Sequence, residues 1–281
     1  MQGLMMQMPL LISSIAKHAE RFHGDSEIVS VTGDNPLHRY TYRDCFRRSR
    51  QLANALEETG MKLGDRVATL AWNDYRHLEA YYAISGIGAV CHTINPRLFP
   101  EQIVYIVNHA EDRLLLTDPM FVPLLEKVAD QIDVVERFVI LTDDEHMPET
   151  TLKGAVSYES FIAGHEDEYD WPQFDENTAS GLCYTSGTTG NPKGVLYSHR
   201  STVLHAYAGL MPDILNMSAA DTVLPVVPLF HVNAWGIPYA APIVGAKLVF
   251  PGPKMGDGEA LYKLMESEGV TLSLGVPTVW L

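Results

Sequence analysis

Between Cys183 and Ser201 the chain reads CYTSGTTGNPKGVLYSHRS. Glycine lets backbone N–H groups approach an anion with no Cβ in the way. The hydroxyls of Thr185, Ser186, Thr188 and Thr189 add donors, Lys193 adds a positive charge, and Pro192 stiffens the loop beside it. Together these are the parts of a triphosphate cradle. Their order is not that of a Walker loop, which needs GxxxxGK and then Ser or Thr, because Lys193 precedes Gly194. Gly187, Gly190 and Gly194 do not form the dinucleotide pattern GxGxxG either. A solvated turn would account for half this length but not for the whole ordered run.

A second cluster is VVPLFHVNAW. Val226, Val227, Leu229 and Phe230 predict a buried strand with His231 at its end. Taken alone, a histidine after an apolar run is more often a capped core residue than a catalytic one, and Trp235 reads equally as a core tryptophan. The next stretch, GIPYAAPIVGAKLVF, combines apolar and small residues, which suits either a ligand-pocket wall or ordinary packing. His199 lies at a predicted helix start and reads as structural. Nothing around Arg97, in NPRL, points to a site role.

These residues need elements to hold them. Leu11, Ile15, Ala19 and Phe22 lie at helical spacing and predict an amphipathic helix. Thr41 with Asp44 three residues on predicts a capped helix that stops at Gly60. DRVATLAW, AVCHT, RLLLT and RFVILT read as strands, and YRHLEAYYAISGIG and PEQIVYIVNHA as helices, the latter with Pro100 in its first turn. LCY before the glycine-rich run is a further strand. Alternation of this kind predicts an α/β fold with a largely parallel sheet flanked by helices. The stretch 143–176 has little periodicity and reads as a surface excursion anchored by Tyr158, Phe161, Tyr169 and Trp171. The expected division is a first α/β unit over 1–176 and an incomplete second unit over 177–281. The abrupt end at GVTLSLGVPTVWL predicts a truncated chain.

Composition bounds the partners. The 281 residues carry 20 Lys and Arg against 35 Asp and Glu, a formal charge of -15, which argues against a nucleic-acid surface. Cys45, Cys91 and Cys183 are far apart and form no CxxC pair, so a reducing compartment fits. The 11 histidines show no metal-ligand spacing. The N-terminus lacks a basic region before its apolar stretch, and no apolar run is long enough to span a bilayer. These features predict a cytoplasmic protein.

YTSGTTGNPKGV resembles the phosphate-loop signature of the adenylate-forming superfamily, which includes acyl-CoA synthetases, firefly luciferase and the adenylation domains of peptide synthetases. GDRVATLAWN, GIGAVCHTINPRL, VVPLFHVNAW, GAKLVF and GVPTVWL stand in the order that resemblance predicts, over essentially the whole chain. The details are most similar to medium- and long-chain fatty-acyl-CoA synthetases and, within that branch, to methylmercaptopropionate–CoA ligases.

The resemblance implies the large N-terminal domain of the adenylate-forming fold, with the small C-terminal domain absent. It implies formation of acyl-AMP from a carboxylic acid and ATP, then transfer of the acyl group to CoA. Thr185, Ser186, Gly187, Thr188, Thr189, Gly190 and Lys193 would grip the leaving phosphates, and Thr185 would also ligate Mg²⁺. His231 would sit beside the acyl carboxylate and α-phosphate in a positioning and electrostatic role. Val232 would line the acyl site and Trp235 would gate it. The adenine- and ribose-binding residues and the catalytic lysine of the small domain would lie past Leu281, so the piece alone is expected to be inactive. A homodimer through the N-terminal portion is a further implication. Two other readings stay open at this point: an adenylate-forming enzyme with another acceptor, and a noncatalytic nucleotide- or acyl-binding module.

Overall fold

The computed structural model describes residues 1, 3–185 and 191–280. Twelve strands run β1 (Glu27–Ser30), β2 (His38–Thr41), β3 (Arg66–Leu70), β4 (Val90–Thr93), β5 (Asp112–Thr117), β6 (Arg137–Ile140), β7 (Val156–Ser157), β8 (Ala179–Thr185), β9 (Lys193–Ser198), β10 (Thr222–Pro225), β11 (Lys247–Phe250) and β12 (Leu272–Leu274). The helices are α1 (Ile12–His23), α2 (Tyr42–Glu58), α3 (Tyr75–Gly86), α4 (Pro100–Ala110), α5 (Val122–Glu126), α6 (Tyr158–Ile162), α7 (His199–Gly209), α8 (Ile237–Val244) and α9 (Gly258–Glu268).

The strands form a seven-stranded sheet, β7-β6-β5-β3-β4-β8-β9, and a five-stranded sheet, β12-β10-β11-β1-β2. Both are parallel except for one antiparallel edge strand each, β9 against β8 and β2 against β1. The expected α/β fold is therefore present. The sheets cut across residue 176: β8 and β9 complete the seven-stranded sheet, while β1 pairs with β11 through Ile28 opposite Leu248.

Local signals hold where they are local. Thr41 and Asp44 close a reciprocal cap on α2, with Thr41 Oγ1 accepting the Asp44 N–H. Gly60 follows α2 at φ 79°, a left-handed conformation that glycine adopts without strain. In α1 the buried face is Ile12, Ile15, Ala16 and Ala19; Phe22, expected on that face, is exposed. The 143–176 excursion is anchored as expected by buried Tyr158, Phe161 and Trp171, but it also contains β7 and α6. The Trp171 ring lies against Gly86 of α3, where a Cβ would meet a ring carbon at 2.2 Å.

Two differences matter for function. The predicted strand through Phe230 ends at Pro225. The Val226 and Val227 amides both donate to the Leu274 carbonyl, which breaks the ladder, and Pro228 has no N–H to resume it. Second, α3 is buried on every side, charged residues included. Its Glu79 accepts from Arg48 Nε at 2.8 Å and from Tyr158 Oη at 2.7 Å. Arg76 meets Asp34 at 2.9 Å and Glu159 at 2.9 Å. Buried charges of this kind persist only when paired and hydrogen-bonded.

Candidate phosphate and acyl site

The glycine-rich run connects β8 to the antiparallel edge strand β9. Thr185, the last residue of β8, stands opposite Lys193, the first of β9. Both side chains are exposed, and among the described residues Thr185 Oγ1 reaches the Lys193 carbonyl, at 3.5 Å. Ser186, Gly187, Thr188, Thr189 and Gly190 lie outside the described residues. One residue before Thr185, the Tyr184 hydroxyl is held by His109 Nδ1 at 2.6 Å. Cys183 is a buried thiol whose pKa is pushed up by burial, so it stays protonated; its sulfur lies 3.3 Å from Thr93 Oγ1.

His231 follows the buried Phe230 and is exposed. Its N–H donates to the Pro228 carbonyl at 3.1 Å. The backbone then turns left-handed for five consecutive residues: φ is 49° at Val232, 49° at Asn233, 47° at Ala234, 55° at Trp235 and 81° at Gly236. Each non-glycine residue in that region costs about 1–2 kcal/mol. Such a run persists only where its surroundings over-determine it. Asn233 is the tether: its Oδ1 accepts from the Tyr81 hydroxyl at 3.3 Å and lies 3.6 Å from the Cys183 sulfur. The Ala234 amide bonds back to Pro228, and His205 Nε2 lies 3.2 Å from the Trp235 carbonyl.

Asn233 therefore joins the two sequence clusters: it sits two residues after His231 and touches Cys183, two residues before Thr185. A second asparagine braces the segment from the other side. Asn73 Nδ2 donates to the Pro225 and Val227 carbonyls at 3.1 and 2.9 Å, and its Oδ1 accepts the Leu229 N–H at 2.7 Å. Neither asparagine was singled out by residue type. The available signal was position: each follows a strand or an apolar run, in LAWN and HVN.

Beside the turn lies a cavity of about 210 Å³, lined by Tyr197, Thr202, His205, Val232, Asn233 and Tyr239 among others. Val232 thus falls on a ligand-sized space; Trp235 is not in its lining and is 42% exposed, which excludes a packed core tryptophan. Most of the GIPYAAP helix is buried, and Gly236 and Tyr239 reach the cavity wall. His199 is fully buried, and burial lowers its pKa to about 4, so it is neutral and accepts the Ile12 N–H at 3.2 Å, a structural contact as expected. Arg97 is exposed, its guanidinium 6.0 Å from the Trp72 ring. Among the described residues, no helix is long and apolar enough to cross a membrane.

The chain matches the family model described as AMP-binding enzyme over residues 15–281. It is 54% identical to a medium-chain-fatty-acid–CoA ligase of Ectopseudomonas oleovorans across 100% of this chain and 51% of the relative. It is 53% identical to a 3-methylmercaptopropionyl-CoA ligase of Ruegeria lacuscaerulensis, across 100% of this chain and 52% of that one. A crystal structure of the anthranilate CoA ligase AuaEII in complex with anthranoyl-AMP superposes with a TM-score of 0.87 at 22% identity, covering 100% of this chain and 52% of its own. The chain thus spans about half the length of the curated relatives it matches. On the family match and these identities together, the chain belongs to the AMP-binding enzyme family.

Proposed function

We propose that the chain is the phosphate-gripping and acyl-holding half of an acyl-CoA ligase that forms acyl-AMP and then acyl-CoA. The observation that carries this reading is the Asn233 tether, which fixes the His231 segment against the strand that precedes the glycine-rich run. The names of the relatives at 54% and 53% identity support a medium-chain fatty acid or 3-methylmercaptopropionate as the acid. A homodimer through the N-terminal portion and a cytoplasmic location belong to the same proposal. Exposed Leu4, Met5 and Met8 support the first of these.

A carboxylate is ionised near neutral pH, so it can attack the α-phosphate of ATP without a general base. The step needs in-line positioning and charge neutralisation instead. The hydroxyls and amides of Thr185, Ser186, Gly187, Thr188, Thr189 and Gly190 hold the departing pyrophosphate, and Lys193 offsets its charge. Thr185 offers a hard oxygen that has no strong partner among the described residues, which fits one ligand of Mg²⁺. That ion, when bound, neutralises phosphate charge. His231, exposed at the start of the strained turn, orients the acyl carboxylate against the α-phosphate. Val232 lines the acyl space and Trp235 controls entry to it. The CoA thiol then attacks the acyl carbonyl, and AMP leaves with the mixed-anhydride oxygen.

The test is ATP–pyrophosphate exchange by the intact gene product with a panel of C4–C16 acids and 3-methylmercaptopropionate. Acid-dependent exchange is expected, followed by AMP formation that requires CoA. Exchange with none of the acids would overturn the enzyme reading. Exchange without CoA-dependent AMP formation would leave an adenylating enzyme with another acceptor.

A further inference from the structure

A second cavity of about 280 Å³ opens at the C-terminal ends of β1, β3, β5 and β6, where α/β folds commonly place ligands. Asp34, Trp72, Asp74, Asp118, Met120 and Leu141 contribute to its lining, and none of Thr185, Lys193, His231, Val232 or Trp235 does. Its walls are apolar on one side and acidic on the other.

The acids differ in how they are satisfied. Asp34 is spoken for: Arg76 meets it at 2.9 Å and the hydroxyls of Thr32 and Thr142 add contacts. His146 is engaged by Asp143 at 2.7 Å. Asp74 and Asp118 are only 4% and 7% exposed. Asp74 Oδ1 accepts the His77 N–H at 2.8 Å, and Asp118 Oδ2 accepts the Trp72 N–H at 2.8 Å. Among the described residues no hydrogen bond reaches the second oxygen of either acid and neither forms a direct ion pair; the more distant Arg76 charge, held by Asp34, only partly offsets their burial. Burial pushes the Asp74 carboxyl up to about 6; burial and the neighbouring Asp74 push Asp118 up further. Two enclosed acids with a single N–H donor each are costly and are relieved by a cation with N–H groups.

We propose that this cavity binds a small organic cation, an ammonium on an apolar body about the size of a benzyl group. Its N–H donors bond the free oxygens of Asp74 and Asp118, and its body packs on Trp72, Pro119 and Leu141. A bare divalent cation fits less well, because the apolar wall cannot complete an oxygen shell.

The probe is benzylammonium chloride, titrated calorimetrically into the intact protein near pH 8, with benzyl alcohol as the neutral match. Saturable one-site binding is expected with Kd below about 10 mM, and benzyl alcohol is expected to bind at least about tenfold more weakly, as for a lost charged hydrogen bond. Asp118→Asn removes the charge, and Met120→Trp fills the exposed mouth without altering either acid. Each variant is expected to weaken binding by about tenfold or more. Circular dichroism establishes that each is folded; should Asp118→Asn fail to fold, Met120→Trp decides. Absence of saturable binding, equal affinity for the alcohol, or unchanged affinity in a folded variant would overturn the proposal.

Discussion

The interior around α3 and the rim formed by Thr185, Lys193 and Val232–Gly236 are built in opposite ways. In the interior, the charged residues of α3 itself are enclosed and paired: Glu79 with Arg48 and Tyr158, Arg76 with Asp34 and Glu159. At the rim, Thr185, Lys193, His231, Val232 and Trp235 are exposed. Among the described residues they have few side-chain bonds, and the backbone of Val232–Gly236 is held left-handed by tethers from beneath. Groups that must meet a ligand keep their bonding capacity free, and the buried network supplies the rigidity they lack.

Substitutions on the two sides should therefore separate stability from activity. Glu79→Ala removes the enclosed partner of Arg48, which keeps Glu159, and strands the Tyr158 hydroxyl, so it is expected to cost about 3 kcal/mol in chemical denaturation. Thr185→Ala, by contrast, should leave the unfolding midpoint within about 0.5 kcal/mol of wild type. It should lower acid-dependent exchange by about 100-fold, most of all at low Mg²⁺. Normal exchange by that variant at low Mg²⁺ would remove the metal role from Thr185. Asn73→Ala should do both, because it frees the Pro225–Leu229 segment: about 2–3 kcal/mol of stability for three buried bonds, together with reduced exchange.

Smaller effects sharpen the contrast. Val232→Gly relieves a β-branched residue at φ 49° and should stabilise the protein by about 1 kcal/mol, even though it opens the wall of the cavity beside the turn. His199→Gln tests the interior by pH. Burial holds His199 at about 4 rather than its ordinary 6.5. The unfolded chain therefore binds the extra proton first as pH falls, and wild type loses stability through this histidine between about 6.5 and 4. The stability gap between wild type and His199→Gln should change in the same window, to the disadvantage of wild type at lower pH. A gap independent of pH would mean that His199 is not buried neutral.

The same contrast decides what was legible in the sequence. Thr41 with Asp44 marked the start of α2 because a capping box is made by residues three apart. The glycine-rich run stood out because its residue types and order are the parts of a phosphate cradle, whereas His231 stood out only through the resemblance of VVPLFHVNAW to a family pattern. The Asn73 brace joins residues 73 and 229, and the Asn233 tether joins 233 to Tyr81 and Cys183; such separations leave no local pattern. The strand prediction through Phe230 failed for the same reason, since apolar residues can be buried in a turn as well as in a ladder. The full enclosure of α3 was hidden because Arg76 and Glu79 suggest an exposed face until their partners on other segments are known.

The most direct test is acid-dependent ATP–pyrophosphate exchange by the intact protein, wild type against Lys193→Ala, at matched folded fraction. The account predicts exchange in wild type and a loss of about 100-fold or more in the variant with an unchanged unfolding midpoint. Equal exchange in the two proteins, or exchange that needs no carboxylic acid, would contradict it.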